Sequence, residues 1–375
     1  MNICFILRGY PTKTEPYQTF SKELIVEFAK KGHKCFVIAP QSITRAITHK
    51  VPVRPRHWKE SINSCTSIDI YQPYFVSLSK LKTNALKAFY QRTINKTFNH
   101  IKDNIDIIYA HFWDMGLYAS KIPCNKPLFV GCGESSLDTT LGKISKVDLT
   151  FLQKRISGII YVSKQISLDA IKMGVSKQIP TLIAPNGYNK NTFFKLDRDE
   201  CRKSLNINNN DFVISFVGFF GDRKGVFRVI NAVKDISDTK MILIGKGEKV
   251  EANKQIIFCG SLPHDAICKY LCASDVFVLP TKAEGCCNAI IEAMGCGLPI
   301  ISSNKEFNDD ILKDSYSIRV NPENIEEIKN AIISLKRDQT KRTSMGLESL
   351  RAANNEFTIE SRVDKIIDFV KKTSE

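Results

Sequence analysis

Short apolar runs rich in β-branched residues alternate with amphipathic stretches of helical period along nearly all of this 375-residue chain. No other feature limits the fold as much. "NICFIL" (2–7) leads into an amphipathic stretch from Tyr17 to Lys31, Gly32 ends that stretch, and "KCFVIAP" follows, which makes a strand–helix–strand unit. Further strands are expected at 105–110, 127–131, 158–163 and 181–187. Residues 186–211 lose the periodicity in their polar parts and read as a linker with a short helix. The pattern then restarts at 211–218, 241–245, 256–260, 275–280 and 298–303. Strands that alternate with helices form parallel sheets covered on both faces. The expected fold class is therefore α/β: two doubly wound, Rossmann-like domains, 1–185 and 186–356, facing a central cleft. The segment 357–375 is expected to be a helix that finishes the second domain or crosses back over the first.

Composition excludes several classes. With 43% hydrophobic and 25% charged residues and no apolar run near the roughly 20 residues of a membrane span, the chain reads as globular and soluble. The opening apolar run reads as a first strand, because no longer apolar region or small-residue cleavage site follows, and a cytoplasmic location is expected. Twelve cysteines are spread through the chain, several inside apolar runs, as free buried thiols would be. The nearest metal-like spacings are Cys268 with Cys272 and the pair Cys286 and Cys287; none forms a paired C-x-x-C pattern, and no metal site is expected.

The net charge of +15 is uneven. Residues 1–185 hold 26 Lys and Arg against 12 Asp and Glu, so +14 of the total lies there. This half should face something anionic. No helix-turn-helix, zinc finger or RRM-type aromatic pattern is present, so nucleic acid is not the expected partner, although a non-enzymatic, basic nucleic-acid-binding protein stays open as a reading. An anionic membrane surface or an acidic substrate fits as well. The segment 77–102 carries cations at 80, 82, 87, 92, 96 and 102, no acidic residue before Asp103, and Leu78, Leu81, Leu86, Phe89 and Tyr90 between them. It reads as an interfacial helix for an anionic leaflet, or as an ordinary basic helix with a core-facing stripe.

In open parallel sheets ligands bind at the carboxyl ends of strands, so strand-end loops carry the chemistry. "FVGFFGDRKGVFRVI" (216–230) ends a strand at Gly218, places Arg223 and Lys224 in a loop, and starts a helix near Gly225; two cations beside a helix N-terminus suit a phosphate pair. "DVFVLPTKAEGCCNAIIEAMGCG" places Glu284 in a loop, small Gly285 beside the amides of Cys286, Cys287 and Asn288, Asn288 near an N-cap, and Glu292 about one turn into the helix. Carboxylates repel phosphate but accept from hydroxyls, so a nucleotide sugar with its ribose diol, diphosphate and hexose satisfies both loops. A surface Glu284 with a helix-interior Glu292 paired to a lysine is the plainer reading. "LIGKGEK" (243–249) is a glycine-rich turn without the P-loop pattern, and "DRD" (197–199) reads as a solvated turn. In the first half His111 follows a strand and Glu134 sits in "GCGESS" after another, as an acceptor-contact or base candidate.

"GDRKG", "GKGEK", "GSLPHDAICKYLCASDVFVLPT" and above all "EGCCNAIIEAMGCGLPII" resemble the C-terminal domain of GT-B glycosyltransferases of family 4, whose E-x7-E motif matches Glu284 and Glu292. The resemblance runs back through "GIIYVSKQISLDAIKMGV" and "APNGYNKNTFF" to "KKGHKCFVIAP". It implies that Glu292 holds ribose hydroxyls, Glu284 contacts the transferred sugar, and Arg223 with Lys224 grips the diphosphate. It further implies that the segment of Gly260, Ser261 and Leu262 lies near the base, that Gly218 and the amides of Gly285, Cys286, Cys287 and Asn288 line the donor, that Gly9 lets the diphosphate pass close to the backbone, and that His111 stands beside the donor sugar. Phe219 takes the place where an arginine often sits, so Arg223 is assigned that role. The activity implied is retaining hexosyl transfer, with no metal or cofactor, from a nucleotide diphosphate sugar, UDP-linked by preference, to a lipid-linked or surface-glycan hydroxyl. A sugar-nucleotide epimerase of the same fold is the other enzymatic reading.

Overall fold

The computed structural model describes residues 1–11, 19–48, 52–77 and 83–374. The chain divides into two compact units. The first comprises Met1–Val162, Ile166–Ala184 and Val363–Glu375, and the second Ser163–Gln165 and Pro185–Arg362.

The first unit is built on strands Asn2–Ile6 (β1), Lys34–Ile38 (β2), His57–Ser61 (β3), Ser67–Tyr71 (β4), Ile107–His111 (β5), Leu128–Cys132 (β6), Ile156–Tyr161 (β7) and Thr181–Ile183 (β8). Among the described residues they form one sheet in the order β8-β7-β6-β5-β1-β2-β4-β3, parallel except for the last pair. The central strands are apolar without alternation because helices cover both faces, and every residue of β5 and β6 is buried. β3, "HWKES", is an edge strand with alternating exposure, and its polar composition hid it from the apolar-run reading.

The second unit contains Phe212–Val217 (β9), Thr239–Ile244 (β10), Ile256–Gly260 (β11), Val276–Leu279 (β12), Ile300–Ser303 (β13) and Ser317–Val320 (β14), in the order β11-β10-β9-β12-β13-β14 and parallel throughout. Its core is one continuous apolar cluster centred on β9, β10 and β12.

The segment 186–211 differs from the expected linker. Tyr188, Phe193 and Arg202 are buried in the second unit, and "DRD" is a helix start: the Asp197 side chain accepts from the Glu200 N–H (2.9 Å) and caps the helix Arg198–Ser204. Arg202, fully buried, donates to Asp275 Oδ2 (2.8 Å) and to the carbonyls of Ala273 and Asp211, while Asp275 also accepts from the Val213 N–H. The final helix, Ile359–Ser374, passes from the second unit into the first, where the Phe369 ring lies 6.0 Å from that of Phe129 and over Gly158, at which a Cβ would meet it at 2.8 Å.

Of the basic segment, residues 78–82 lie outside the described residues, including Leu78, Lys80, Leu81 and Lys82. The rest is the helix Asn84–Ile101, which buries Ile94, Thr97, Phe98 and Ile101 and exposes Phe89, Arg92 and Lys96 on the opposite face. Tyr90 turns inward, its ring 4.7 Å from those of Phe75 and Tyr118. Among the described residues no helix is long and apolar enough to cross a membrane.

Candidate active site

The carboxyl edge of the second sheet collects the loops after β9, β10, β11 and β12. After β9, Gly218 donates its N–H to the Ile244 carbonyl (2.9 Å), and the chain turns through Arg223 and Lys224 to Gly225, whose φ of 85° starts the helix Val226–Val233. The glycines of "GKGEK" are steric requirements. A Cβ on Gly245 would lie 1.8 Å from the Gly218 carbonyl oxygen, and one on Gly247 would lie 2.2 Å from that of Phe220. These two loops therefore stand backbone to backbone.

The loop after β12 is stitched to the loop after β9. Lys282 N–H donates to the Arg223 carbonyl (2.8 Å), Arg228 Nη2 donates to the Pro280 carbonyl (3.0 Å), and the Thr281 hydroxyl donates to Glu284 Oε1 (2.7 Å). The same Oε1 receives Arg223 Nη1 at 3.0 Å and Lys224 Nζ at 2.6 Å. Among the described residues no hydrogen bond reaches Glu284 Oε2. The Glu284 side chain is 8% exposed, Lys224 13% and Arg223 48%, so one cation is buried with the carboxylate and the other reaches solvent. Burial alone would lower the Lys224 ammonium's pKa; the Cys287 sulphur (3.8 Å) and the Glu284 carboxylate outweigh it, and the pKa ends above its ordinary value. The two cations are thus paired to Glu284, which gathers them into one cluster of net charge +1.

Gly285 is buried in this loop. Asn288 lies next to the N-cap, as expected, but does not cap: Cys287 occupies the N-cap without a side-chain bond, and Asn288 is the first residue of the helix Asn288–Gly295. Its Oδ1 instead accepts from Asn186 Nδ2 (2.7 Å), and Asn186 also donates to the Cys286 carbonyl and sulphur (both 3.3 Å). Glu292, 9% exposed, accepts on Oε1 from His264 Nε2 at 3.0 Å, and no other protein partner among the described residues reaches it. His264 follows Ser261 and Leu262; Ser261 Oγ donates to the Gly245 carbonyl (3.2 Å) and Leu262 is half-buried. His264 and Thr281 are site residues that motif reading missed. Nothing in their spacing marks them, because each acts on a glutamate 28 or 3 positions away through a fold-made contact.

In the first unit Gly9, His111 and Glu134 follow or end β1, β5 and β6, which are neighbours in the sheet. His111 is the last residue of β5, buried, with the Phe112 ring 4.4 Å and the Phe20 ring 5.2 Å from its own. Phe112 holds φ 77° and ψ 158°, a region that costs a non-glycine residue about 1–3 kcal/mol. The turn it makes brings the Trp113 N–H to Glu134 Oε1 (3.4 Å). Glu134 Oε2 is buried without a partner among the described residues, and burial pushes the carboxyl up to about 7.

Residues 197–349 match the family described as glycosyl transferases, group 1. Over these residues the second unit is thus similar to group 1 glycosyl transferases. Over most of its length the chain is similar to TuaC of Bacillus subtilis, a glycosyltransferase provisionally assigned to teichuronic acid biosynthesis, with 23% identity over 353 residues and 90% of each chain covered. It is 25% identical over 331 residues to the Escherichia coli UDP-Gal:alpha-D-GlcNAc-diphosphoundecaprenol alpha-1,3-galactosyltransferase, covering 76% of this chain and 84% of that one. Among solved structures it superposes on Anabaena HepE in complex with UDP with a TM-score of 0.75 at 17% identity, over 99% of this chain and 100% of that one. The fold is thus that of the GT-B glycosyltransferases, as the E-x7-E resemblance implied.

Proposed function

We propose that the protein is a retaining, metal-independent hexosyltransferase that uses a UDP-linked donor and a hydroxyl of a lipid-linked or surface-glycan acceptor. The observation that carries this reading is Glu284, fixed through Oε1 by Arg223, Lys224 and Thr281 with Oε2 left for a ligand. A carboxylate held this way accepts from a sugar hydroxyl. The cations it anchors, with the first-turn amides of Cys287 and Asn288, offset the charge on a departing diphosphate, which makes a metal unnecessary. Glu292, oriented by His264, keeps Oε2 for a ribose diol. The reading gives Gly218, Gly285, Cys286, Ser261 and Leu262 to the walls of the donor site, Gly9 to close passage of the diphosphate, and His111 to a sugar hydroxyl. Glu134, with a carboxyl near neutrality, is the candidate to take the acceptor's proton. In the transfer the bond from the anomeric carbon to the diphosphate oxygen breaks with its electron pair on that oxygen, and the acceptor oxygen bonds the anomeric carbon. Support for UDP and for a lipid-linked acceptor comes from the relatives' names; retention rests on the family resemblance.

The test is a thermal-shift screen of the full chain against UDP, GDP, ADP, dTDP and CMP with their sugar conjugates, repeated with Glu292→Ala. A ligand at 100 times its Kd adds about 2.7 kcal/mol, a shift of several degrees. A selective UDP shift that E292A loses is expected. No shift with any nucleotide sinks the donor site, and conversion of a UDP-sugar without acceptor favours an epimerase.

A further inference from the structure

The three buried cysteines Cys268, Cys272 and Cys296 form a cluster of which the sequence shows only the spacing of Cys268 with Cys272. Cys268 and Cys272 lie on one face of the helix Ile267–Cys272 and its lead-in, and Cys296 caps the C-terminus of the helix Asn288–Gly295 that carries Glu292. The three sulphurs lie within 4.8 Å of one another, the one group of three such ligands among the described residues. Cys268 and Cys296 sulphurs are 3.8 Å apart. Two sulphurs each about 2.3 Å from a tetrahedral ion stand about 3.8 Å apart, so this pair already has the spacing of zinc ligands.

Backbone geometry supplies a second, independent mark. The segment Phe194–Leu196 runs past the cluster and donates the Phe194 N–H to the Cys268 sulphur (3.5 Å) and the Leu196 N–H to the Cys272 sulphur (3.4 Å). Amide donors aimed at sulphur favour the charged thiolate over the thiol, as a metal ligand requires. The Phe194 carbonyl oxygen stands 3.3 Å from both sulphurs, within reach as a fourth, oxygen ligand. An entry path exists too: a cleft of about 650 Å³ is lined by Cys272 and Cys296 together with Leu196, Asp275, Gly297 and Arg342.

We propose that Cys268, Cys272 and Cys296 bind one thiophilic divalent cation of the zinc class, with the Phe194 carbonyl completing four ligands. Binding displaces the thiol protons to solvent, including the two that now point at the Phe194 carbonyl, while both N–H donors to sulphur stay in place. The ion would tie the segment 194–196 and the helices 267–272 and 288–295 together behind the donor loop. Its role is structural, because none of its ligands belongs to the Glu284 or Glu292 clusters.

The experiment uses the reduced, chelator-treated full chain, titrated with Co(II) and then Zn(II). One equivalent of Co(II) should give sulphur-to-cobalt charge-transfer bands that Zn(II) abolishes, with proton release and a raised melting temperature. Cys296→Ser and Cys268→Ser should lose the bands, and a variant with both exposed cysteines replaced, C65S/C259S, should keep them. Should the serine variants misfold, the zinc-edge X-ray absorption spectrum of the wild type decides: three sulphur neighbours at about 2.3 Å are expected. Failure to bind a stoichiometric ion, a spectrum of nitrogen and oxygen ligands alone, or bands that persist in folded C296S overturns the proposal, as does recovery of Cys268 and Cys296 as a disulfide in freshly purified protein. Nucleotide binding is read separately, so either site can fail without the other.

Discussion

At the scale of single residues, the two glutamates of the E-x7-E motif and the "RKG" cations share one logic: each carboxylate spends one oxygen on protein donors and keeps the other. Arg223→Ala removes one of three donors to Glu284 Oε1 and the more exposed cation, so turnover should fall at least about tenfold, or about 1.4 kcal/mol of barrier. Steady-state assays with a UDP-sugar check this, and an unchanged kcat/KM removes Arg223 from the mechanism. Glu134 makes a prediction about stability. Burial raises its carboxyl from 4.5 to about 7 in the folded chain. Between these values the native state keeps a proton that the unfolded state has lost, so its contribution is complete below pH 4.5, falls as pH rises toward 7 and stays lost above. The effect is at most about 3 kcal/mol. Glu134→Gln does not titrate; its stability relative to wild type should therefore grow from pH 4.5 to pH 8, read from urea midpoints. A difference that is constant with pH sinks the raised pKa.

Elements show where sequence reading succeeds and where it stops. The strands that carry the site, β1, β5, β9 and β12, were legible because burial on both faces leaves them uniformly apolar. Edge strands β3 and β14 were not, since one side faces water and their composition is mixed. "GKGEK" read only as a turn; its glycines are explained by the Gly218 and Phe220 carbonyls, which sequence places 25 or more positions away. The E-x7-E loop was legible as chemistry, but not its internal pairing to Arg223 and Lys224. The start of β12 depends on a contact equally hidden, Arg202 with Asp275. Asp275→Leu leaves a fully buried guanidinium without its carboxylate partner and should cost about 3–5 kcal/mol, whereas the double change R202M/D275L should recover the part due to the unpaired charge, the Val213 N–H still lacking its acceptor. Far-UV circular dichroism under urea must report it, because both tryptophans, Trp58 and Trp113, belong to the first unit. A loss in the double variant equal to the sum of the losses in D275L and R202M alone would show that the pair itself carries no coupling.

For the whole molecule the uneven charge is the remaining question, because +14 of the +15 lies in residues 1–185 while the proposed donor site is built on Glu284 and Glu292 of the other unit. The helix Asn84–Ile101 separates the two readings of that charge. Its apolar stripe of Ile94, Phe98 and Ile101 is spent on the first unit's core, which leaves Arg92 and Lys96, with Phe89 beside Lys96 in projection, as its outward face. A cation near an anionic leaflet contributes about 1 kcal/mol, so R92Q/K96Q should weaken binding to phosphatidylglycerol vesicles by about 2 kcal/mol, roughly thirtyfold. Raising ionic strength to 1 M shortens the screening length to about 3 Å and should release the wild type in the same way. Neutral phosphatidylcholine vesicles should retain neither protein, because the exposed apolar area on this helix is one phenylalanine. The double variant leaves Glu284, Glu292 and their partners untouched, so transfer to a short soluble acceptor should persist while transfer to a bilayer-held acceptor drops. Vesicle binding unaffected by the two changes would return the charge to an acidic acceptor. Duplex DNA bound more tightly than vesicles, with a steep salt slope, would instead revive the nucleic-acid reading.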